Sequence, residues 1–296
     1  MRLWPPESPR FRAFIVALVA VSATLLVFAA SAFAGAFTPE SGGSPNADKI
    51  DGLYKIVLYA SIVVFVGVEG TLLYSVLRFR ARKGRVAAQI RGNTTLEIGW
   101  TVGAALILVV LTAVTFAYLG DIRNPARSGP HGLPSANGVT YAAVDQASPP
   151  GGRQLKIKVN GQQFVWRYAY PNKAFAYETM VVPVDTTVTL DIESQDVDHS
   201  WWIPKLGPKF DAVPGYVNHS WFKVPASQIP KGKTSVTFRG QCTELCGYGH
   251  ANMVARVRAV PVDRYEQWLA SQKQNIDQAN KGAAAERPKF QPIPSP

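Results

Sequence analysis

Three long apolar runs fall within the first 120 residues, and they constrain the fold more than any other feature of the chain. They span approximately residues 14–34, 54–79 and 98–119. A helix of roughly 20 apolar residues is long enough to cross the hydrocarbon core of a bilayer. The sequence therefore predicts a transmembrane hairpin, with one helix over residues 54–79 and a second helix over residues 98–119.

The first apolar run has the features of an export signal. Arg2, Arg10 and Arg12 precede it, and it ends in the small-x-small sequence Ala32-Phe33-Ala34. A positive amino-terminal region, an apolar stretch and such an ending are typical of a secretory signal peptide. We predict a signal peptide over residues 1–34, with an uncleaved additional helix as the alternative because the run is long.

A basic loop separates the two predicted spanning helices. Six Lys and Arg residues and no acid lie between Leu77 and Glu97. Short loops rich in Lys and Arg stay in the cytoplasm, so residues 80–97 are predicted to be cytoplasmic and the chain after Gly120 extracytoplasmic. The net charge of +11 could indicate a nucleic-acid partner. Because much of it lies between two membrane spans, we predict a multi-pass cell-membrane protein that contacts lipid and no nucleic acid.

The exported part of the chain has the pattern of a β-sandwich. Residues 121–152 are rich in Pro, Gly, Ser and Ala and are predicted to be a linker. Apolar and polar residues alternate over residues 154–159, 187–192, 235–238 and 253–260. This alternation is typical of half-buried strands. We predict one all-β domain over residues 153–275 that ends in an amphipathic helix, followed by a disordered tail over residues 276–296.

The residues with metal-binding chemistry are concentrated at 242–253, with the sequence CTELCGYGHANM. Thiolate, imidazole and thioether groups within twelve residues suit copper, and a second thiolate allows two metal ions to be bridged. A disulfide between Cys242 and Cys246 is the alternative in an oxidising compartment, but it leaves His250 and Met253 without a role. Structural zinc usually requires a distant second pair of ligands.

A further ligand should come from elsewhere in the chain, and the sequence has four histidines. His131 lies in the linker, and His219 lies at the start of a predicted strand. His199 follows the strand that ends near Glu193. A single histidine is more often structural than a ligand, so the residues alone do not choose among these positions.

Five motifs together resemble subunit II of cytochrome c oxidase, the copper-A subunit of the haem–copper oxidases. They are LEIGWT at 96–101, GQQFVWRYAY at 161–170, DVDHSW at 196–201, KFDAVPG at 209–215 and the 242–253 segment. The resemblance extends from about Gly52 to Leu269. It implies a cupredoxin-like Greek-key sandwich on a two-helix anchor, and it implies a binuclear copper-A centre.

The resemblance also implies a role for each ligand. Cys242 and Cys246 would bridge two copper ions, and His199 and His250 would each bind one of them. Met253 and the main-chain carbonyl of Glu244 would be weaker ligands. The carboxylate of Glu244 would reach a magnesium ion at the border with subunit I.

Further residues match functional positions of the family. Glu97 matches the acid at the entrance of a proton channel, although an acid in the first helical turn also suits the helix dipole. Lys209 and Asp211 match residues at the subunit I border. Phe164 stands where the family usually has the tryptophan that receives electrons, and Trp166 is kept two residues later. Two other positions depart from the family pattern, because Tyr216 replaces an arginine and Gly103 replaces a proline.

The resemblance implies a cytochrome c oxidase that also contains subunits I and III and takes electrons from a c-type cytochrome. Two cysteines spaced as Cys-x3-Cys cannot attach a c-type haem, so no haem is expected in this chain. Residues 121–296 carry 20 Lys and Arg against 14 Asp and Glu. A positive domain fits a freely diffusing basic donor poorly, so we expect a membrane-bound or fused cytochrome. The related quinol oxidase subunit lacks the metal ligands, whereas all six positions are filled here.

Overall fold

The computed structural model describes residues 38–80, 84, 86, 89–133 and 154–286 of the chain. The chain divides into two compact units, Met1–Glu40 and Ser41–Pro296. The predicted signal peptide at 1–34, part of the basic loop and most of the predicted linker lie outside the described residues.

Two long apolar helices open this unit. Helix α1 spans Pro45–Arg78 and helix α2 spans Thr94–Arg123. Pro45 suits the first position of α1, where its missing N–H needs no partner. The side chain of Asn93 accepts a hydrogen bond from Leu96 N at 3.1 Å and so caps the start of α2. Both helices are long and apolar enough to cross a membrane, and their most apolar stretches are unburied within the structure.

Ten strands follow and form two five-stranded sheets. The strands are β1 (Gln154–Gln162), β2 (Val165–Ala169), β3 (Phe175–Tyr177), β4 (Thr179–Pro183), β5 (Thr187–Ser194), β6 (His199–Trp202), β7 (Phe210–Ala212), β8 (Asn218–Lys223), β9 (Val236–Cys242) and β10 (Val254–Val260). One sheet has the order β3-β2-β1-β5-β8 and the other β4-β10-β9-β6-β7. All pairs are antiparallel except β1 with β5 and β4 with β10.

The two sheets enclose one apolar core, and the alternation in the sequence determines which side chains enter it. Ile157, Val159, Leu190 and Val257 are fully buried there. Their neighbours in sequence are half-buried or exposed, as the two-residue period of a strand predicts, except Thr189, which is also buried. The predicted alternating segments lie within β1, β5, β9 and β10 to within one residue, and the two long helices precede them. The predicted fold class, a two-helix anchor with an all-β sandwich, is therefore confirmed.

Helix α3 spans Val262–Glu286 and packs on the outside of the sandwich. Tyr265 is buried, and the Trp268 ring lies 5.1 Å from the Tyr170 ring. The prediction ended this helix near residue 275 and assigned a disordered tail to 276–296, which is wrong for residues 276–286. Ile276 packs partly against the core, and the following segment is rich in Ala, which is the strongest helix former. Residues 287–296 lie outside the described residues.

The sandwich contacts one end of the helix pair through specific hydrogen bonds. Asn46, at the start of α1, donates to the carbonyl of Trp221 at 2.8 Å. The indole of Trp221 donates to the carbonyl of Ile122, near the end of α2, at 2.9 Å. The loop between α1 and α2 therefore lies at the opposite end of the hairpin from the sandwich. This arrangement agrees with a cytoplasmic loop and an extracytoplasmic β domain.

Candidate metal centre

The loop between β9 and β10 carries most of the predicted metal ligands. Its two ends are joined where Cys242 N donates to the carbonyl of Met253 at 2.9 Å. Thr243 N donates to the carbonyl of Ser200 on β6, also at 2.9 Å. A short 3-10 helix at His250–Asn252 completes the loop. Three strands thus hold the loop at one rim of the sandwich, so its side chains start from fixed backbone positions.

One half of the candidate centre joins this loop to strand β6. The Sγ atom of Cys242 lies 3.8 Å from Nδ1 of His199 and 4.0 Å from Sγ of Cys246. All three ligand atoms lie within 4.8 Å of one another, and all three residues are buried. His199 is the histidine that the structure brings to the cysteines from outside the loop, a choice that the residues alone left open.

The other half is built by the loop itself. The Sγ atom of Cys246 lies 3.6 Å from Nδ1 of His250 and 3.9 Å from Sδ of Met253. The carbonyl oxygen of Glu244 lies 3.3 Å from Sγ of Cys242. Donor atoms bound tetrahedrally to one metal at about 2.0–2.3 Å stand roughly 3.3–3.8 Å apart. Three of the five distances lie within this range, and the Cys242–Cys246 and Cys246–Met253 distances of 4.0 and 3.9 Å exceed it only slightly, so the spacing of the six predicted groups is close to that of metal coordination.

The disulfide interpretation does not match this geometry. Cys242 and Cys246 are both free, and their sulfur atoms are 4.0 Å apart instead of the ~2.05 Å of an S–S bond. Burial, followed by the neighbouring Cys242, raises the pKa of the Cys246 thiol to about 11. A metal ion that binds here must therefore displace a tightly held proton.

Asp196 orients His199 from outside the cluster. Its carboxylate lies 2.9 Å from Nε2 of His199, so that Nδ1 faces the cysteines. Partial burial acts to raise the pKa of Asp196, but hydrogen bonds donated by Gln163 N, the His199 ring and Val197 N lower it below its ordinary value. The ionised carboxylate fixes the imidazole tautomer and orientation, as partners of metal-bound histidines usually do. Asp196 lies only three residues before His199, but the sequence alone does not indicate this role.

The two aromatic residues predicted for electron entry occupy different environments. Trp166 is fully buried, and its ring centroid lies 5.8 Å from that of His199. Phe164 is half-buried at the rim, where its ring centroid lies 4.8 Å from that of Tyr248. Tyr248 is not among the residues predicted from the sequence to be functional. The feature of the sequence that could have indicated it is its position between two glycines in the loop between β9 and β10.

The remaining predicted positions lie away from the cluster or face outward. Glu97 lies in the first turn of α2, and its carboxylate accepts a hydrogen bond from Asn93 N at 3.2 Å. This position agrees with the alternative for Glu97, an acid in the first helical turn that suits the helix dipole. The side chains of Glu244 and Asp211 are exposed. Within the described part of the chain, the only candidate metal group of three or more His, Cys, Asp or Glu residues contains His199, Cys242 and Cys246.

Two family profiles match this chain. The transmembrane domain of cytochrome c oxidase subunit II matches residues 32–118, and the periplasmic domain of the same subunit matches residues 175–260. The protein is anchored in the membrane by its helix pair and has a cupredoxin-like β-sandwich. The metal-binding side chains at one rim of this sandwich form a candidate copper centre. The two matches together cover more than half of the sequence, and the chain belongs to the cytochrome c oxidase subunit II family. It is therefore a membrane protein with a periplasmic β domain.

Individual relatives agree with this assignment. Cytochrome c oxidase subunit 2 of Alkalihalophilus pseudofirmus is 31% identical over 235 residues, which are 77% of this chain and 59% of that protein. The chain thus spans less than two thirds of that relative. Subunit 2 of Cereibacter sphaeroides is 29% identical over 78% of this chain and 80% of that protein. The crystal structure of the periplasmic domain of subunit II from Bradyrhizobium japonicum is 34% identical, covering 42% of this chain and 96% of that chain, with a TM-score of 0.37.

Proposed function

We propose that this chain is the electron-entry subunit of a terminal oxidase. It takes electrons from a c-type cytochrome at a binuclear copper-A centre and passes them to the oxygen-reducing site of subunit I, coupled to proton translocation. One observation carries the proposal, namely the convergence of six donor groups at one rim of the sandwich, with neighbouring donor atoms 3.3–4.0 Å apart.

The chemistry of the donor set favours copper over zinc. A thioether is a soft ligand that suits copper, and Met253 places one fully buried against Cys246. Copper bound here would supply one-electron chemistry. Cys242 and Cys246 would bridge the two ions, with His199 and His250 as one ligand each. The role of the protein is to hold these side chains rigidly, which keeps structural change during electron transfer small.

Two other functions are weaker candidates. A quinol oxidase subunit would keep the fold without the ligands, but here all six ligand positions carry donor groups. A copper carrier acting alone would need neither Glu97 nor the segment around Asp211, which match positions at the entrance of a proton channel and at the subunit I border. We therefore favour assembly with oxidase subunits I and III in the cell membrane, and we assign the Glu244 carboxylate to a magnesium ion at the subunit I border.

The proposal is tested on the purified oxidase complex that contains this chain. We expect Cys246→Ser to abolish oxygen consumption driven by reduced cytochrome c, because a bridging thiolate is lost. The same variant should still reduce oxygen when a small-molecule reductant reaches the haems of subunit I directly. Thr237→Ser, an exposed position on β9, is the matched control and should behave like the parent. Parent-like turnover by Cys246→Ser with cytochrome would overturn the proposal.

The identity of the donor is tested separately. The positive charge of residues 121–296 favours a membrane-bound or fused cytochrome over a small basic one. Turnover with purified donors should therefore show little decline across a salt series. A steep fall with salt for a small basic cytochrome would mean that long-range attraction guides docking, and it would refute this assignment.

A further inference from the structure

A polar cavity lies where helix α3 packs on the sandwich. Its volume is about 270 Å³, and it lies between the end of β10 and the first turns of α3. The residues on the helix side recur every three or four positions, so they occupy one face of α3. Asp263 and Glu266 of the same helix do not line the cavity. Its polar lining consists of Thr234, Ser235, Arg258, Arg264, Gln267 and Ser271.

The two arginines of this cavity carry uncompensated charges. Neither guanidinium forms a salt bridge with a residue that the structure describes. By contrast, Arg256, two residues before Arg258, lies 3.2 Å from a carboxylate oxygen of Glu178. The Nε atom of Arg258 is also buried and has no hydrogen-bond partner among the described residues. A buried donor without an acceptor is destabilising, so an acceptor that enters the cavity would be bound favourably.

The donors that line the cavity suit a phosphate group. The Nε and Nη atoms of an arginine donate two parallel hydrogen bonds to two oxygens of one anion. The hydroxyls of Thr234, Ser235 and Ser271 supply further donors. The four oxygens of a phosphate group can accept more of these hydrogen bonds than the two oxygens of a carboxylate can. Lys231 and Lys233, in the turn that leads to Thr234, add positive charge nearby.

We propose that this cavity is a phosphate-binding site, with Arg258 and Arg264 as its charged contacts and Ser235 as a hydroxyl donor. The site is separate from the metal centre, because Arg258 lies five residues after Met253, about 17 Å along the strand at roughly 3.4 Å per residue. A bound phosphate group joins three parts of the fold, namely strand β10, helix α3 and the segment that leads into β9.

The test is isothermal titration calorimetry of the full chain in detergent with inorganic phosphate, at a fixed concentration of NaCl. We expect saturable binding by the parent. Arg264→Gln should weaken binding by about 10–100-fold, because charge-assisted hydrogen bonds are lost. Arg264→Lys keeps the charge without the planar fork, so its affinity should lie between these two. Arg239→Gln removes an exposed arginine of β9 that does not line the cavity, and this matched control should bind like the parent.

Two further ligands identify the anion. Acetate is a planar monoanion and should bind at least about tenfold more weakly than phosphate, because it accepts fewer of the hydrogen bonds. Equal affinity for the two would overturn the assignment to phosphate. Glycerol 3-phosphate carries the same phosphate group as an ester. Tighter binding of this ester than of inorganic phosphate would support a phosphate ester as the ligand, and weaker binding would support the free ion.

The site itself is refuted if the parent shows no saturable binding of either phosphate compound. Equal losses in Arg264→Gln and Arg239→Gln would also overturn it, because binding would then depend on net charge alone. Near-ultraviolet circular dichroism verifies that each variant is folded. If Arg264→Gln does not fold, Ser235→Ala replaces it, with an expected loss of about 3–10-fold for one hydroxyl donor. Unchanged affinity in that variant would contradict the site.

Discussion

Gly249→Ala would place a methyl group against the ring of Phe164, on which the loop between β9 and β10 packs. The new Cβ would lie 2.5 Å from Cγ of Phe164, where carbon atoms normally stand about 3.5–4.0 Å apart. The backbone itself is not strained, because Gly249 has φ −93°, which alanine adopts readily. The cost therefore comes from moving the base of the Phe164 side chain, which cannot rotate away as the end of a flexible chain could.

The expected magnitude follows from two opposing effects. Overpacking of this kind lowers the free energy of unfolding by about 1–3 kcal/mol. Replacing a glycine raises it by about 0.4–1 kcal/mol, because the unfolded chain has less conformational freedom. We expect a net loss of about 1–2 kcal/mol in the free energy of unfolding. For a domain of this size that corresponds to a fall of about 3–8 °C in Tm.

The assay is thermal unfolding of the full chain in detergent, followed by the near-ultraviolet circular dichroism of the buried tryptophans. Gly282→Ala is the matched control, since Gly282 lies on α3 with nothing within 4 Å of a new Cβ. That variant should melt at or above the parent temperature, because alanine is the better helix former. If Gly249→Ala also melts at or above the parent temperature, the close contact between the loop and Phe164 is refuted.

Three further predictions concern the surroundings of the cluster and the core. Asp196→Asn should lower copper affinity by about 10–100-fold in a chelator competition titration, because His199 loses its charged partner; unchanged affinity would show that Asp196 does not orient the ligand. Tyr265→Phe should raise the free energy of unfolding by about 1 kcal/mol in denaturant titration, because the buried hydroxyl has no hydrogen-bond partner among the described residues; destabilisation would contradict this. Burial raises the pKa of Tyr168, Tyr170 and Tyr265 in the folded state, so the folded state keeps these protons while the unfolded state releases them above pH ~10. Stability should therefore be complete below pH ~10 and fall as pH rises above it, with tyrosinate absorbance appearing together with unfolding. Tyrosinate formation by all three in a folded chain would refute the burial.

The fold class was readable from the sequence because it depends on local patterns. Two runs of about 20 apolar residues can only be spanning or deeply buried helices, and alternation such as that of residues 154–159 is sufficient to predict a strand. The extension of α3 beyond residue 275 was missed. The charged and small residues of that segment resemble a solvated tail, although Ile276 packs against the core of the sandwich.

The candidate site was predictable only in part. The 242–253 segment contains most donor groups, so its chemistry is visible in one stretch of sequence. His199 came from the family resemblance, since nothing local distinguishes it from the other histidines. The contacts of Asp196 with Gln163 and of Phe164 with Tyr248 join segments more than 30 residues apart. Such contacts are set by strand pairing and loop packing, and they cannot be predicted from the spacing of apolar residues along the sequence.

The electron paramagnetic resonance spectrum of the full chain, loaded with copper in detergent, tests the central claim most directly. If Cys242 and Cys246 bridge two copper ions that share one unpaired electron, the hyperfine splitting comes from both nuclei and gives seven lines. A four-line spectrum from a single copper would contradict the binuclear centre. Absence of any copper signal in the oxidised, metal-loaded chain would contradict the assignment of this rim to copper altogether.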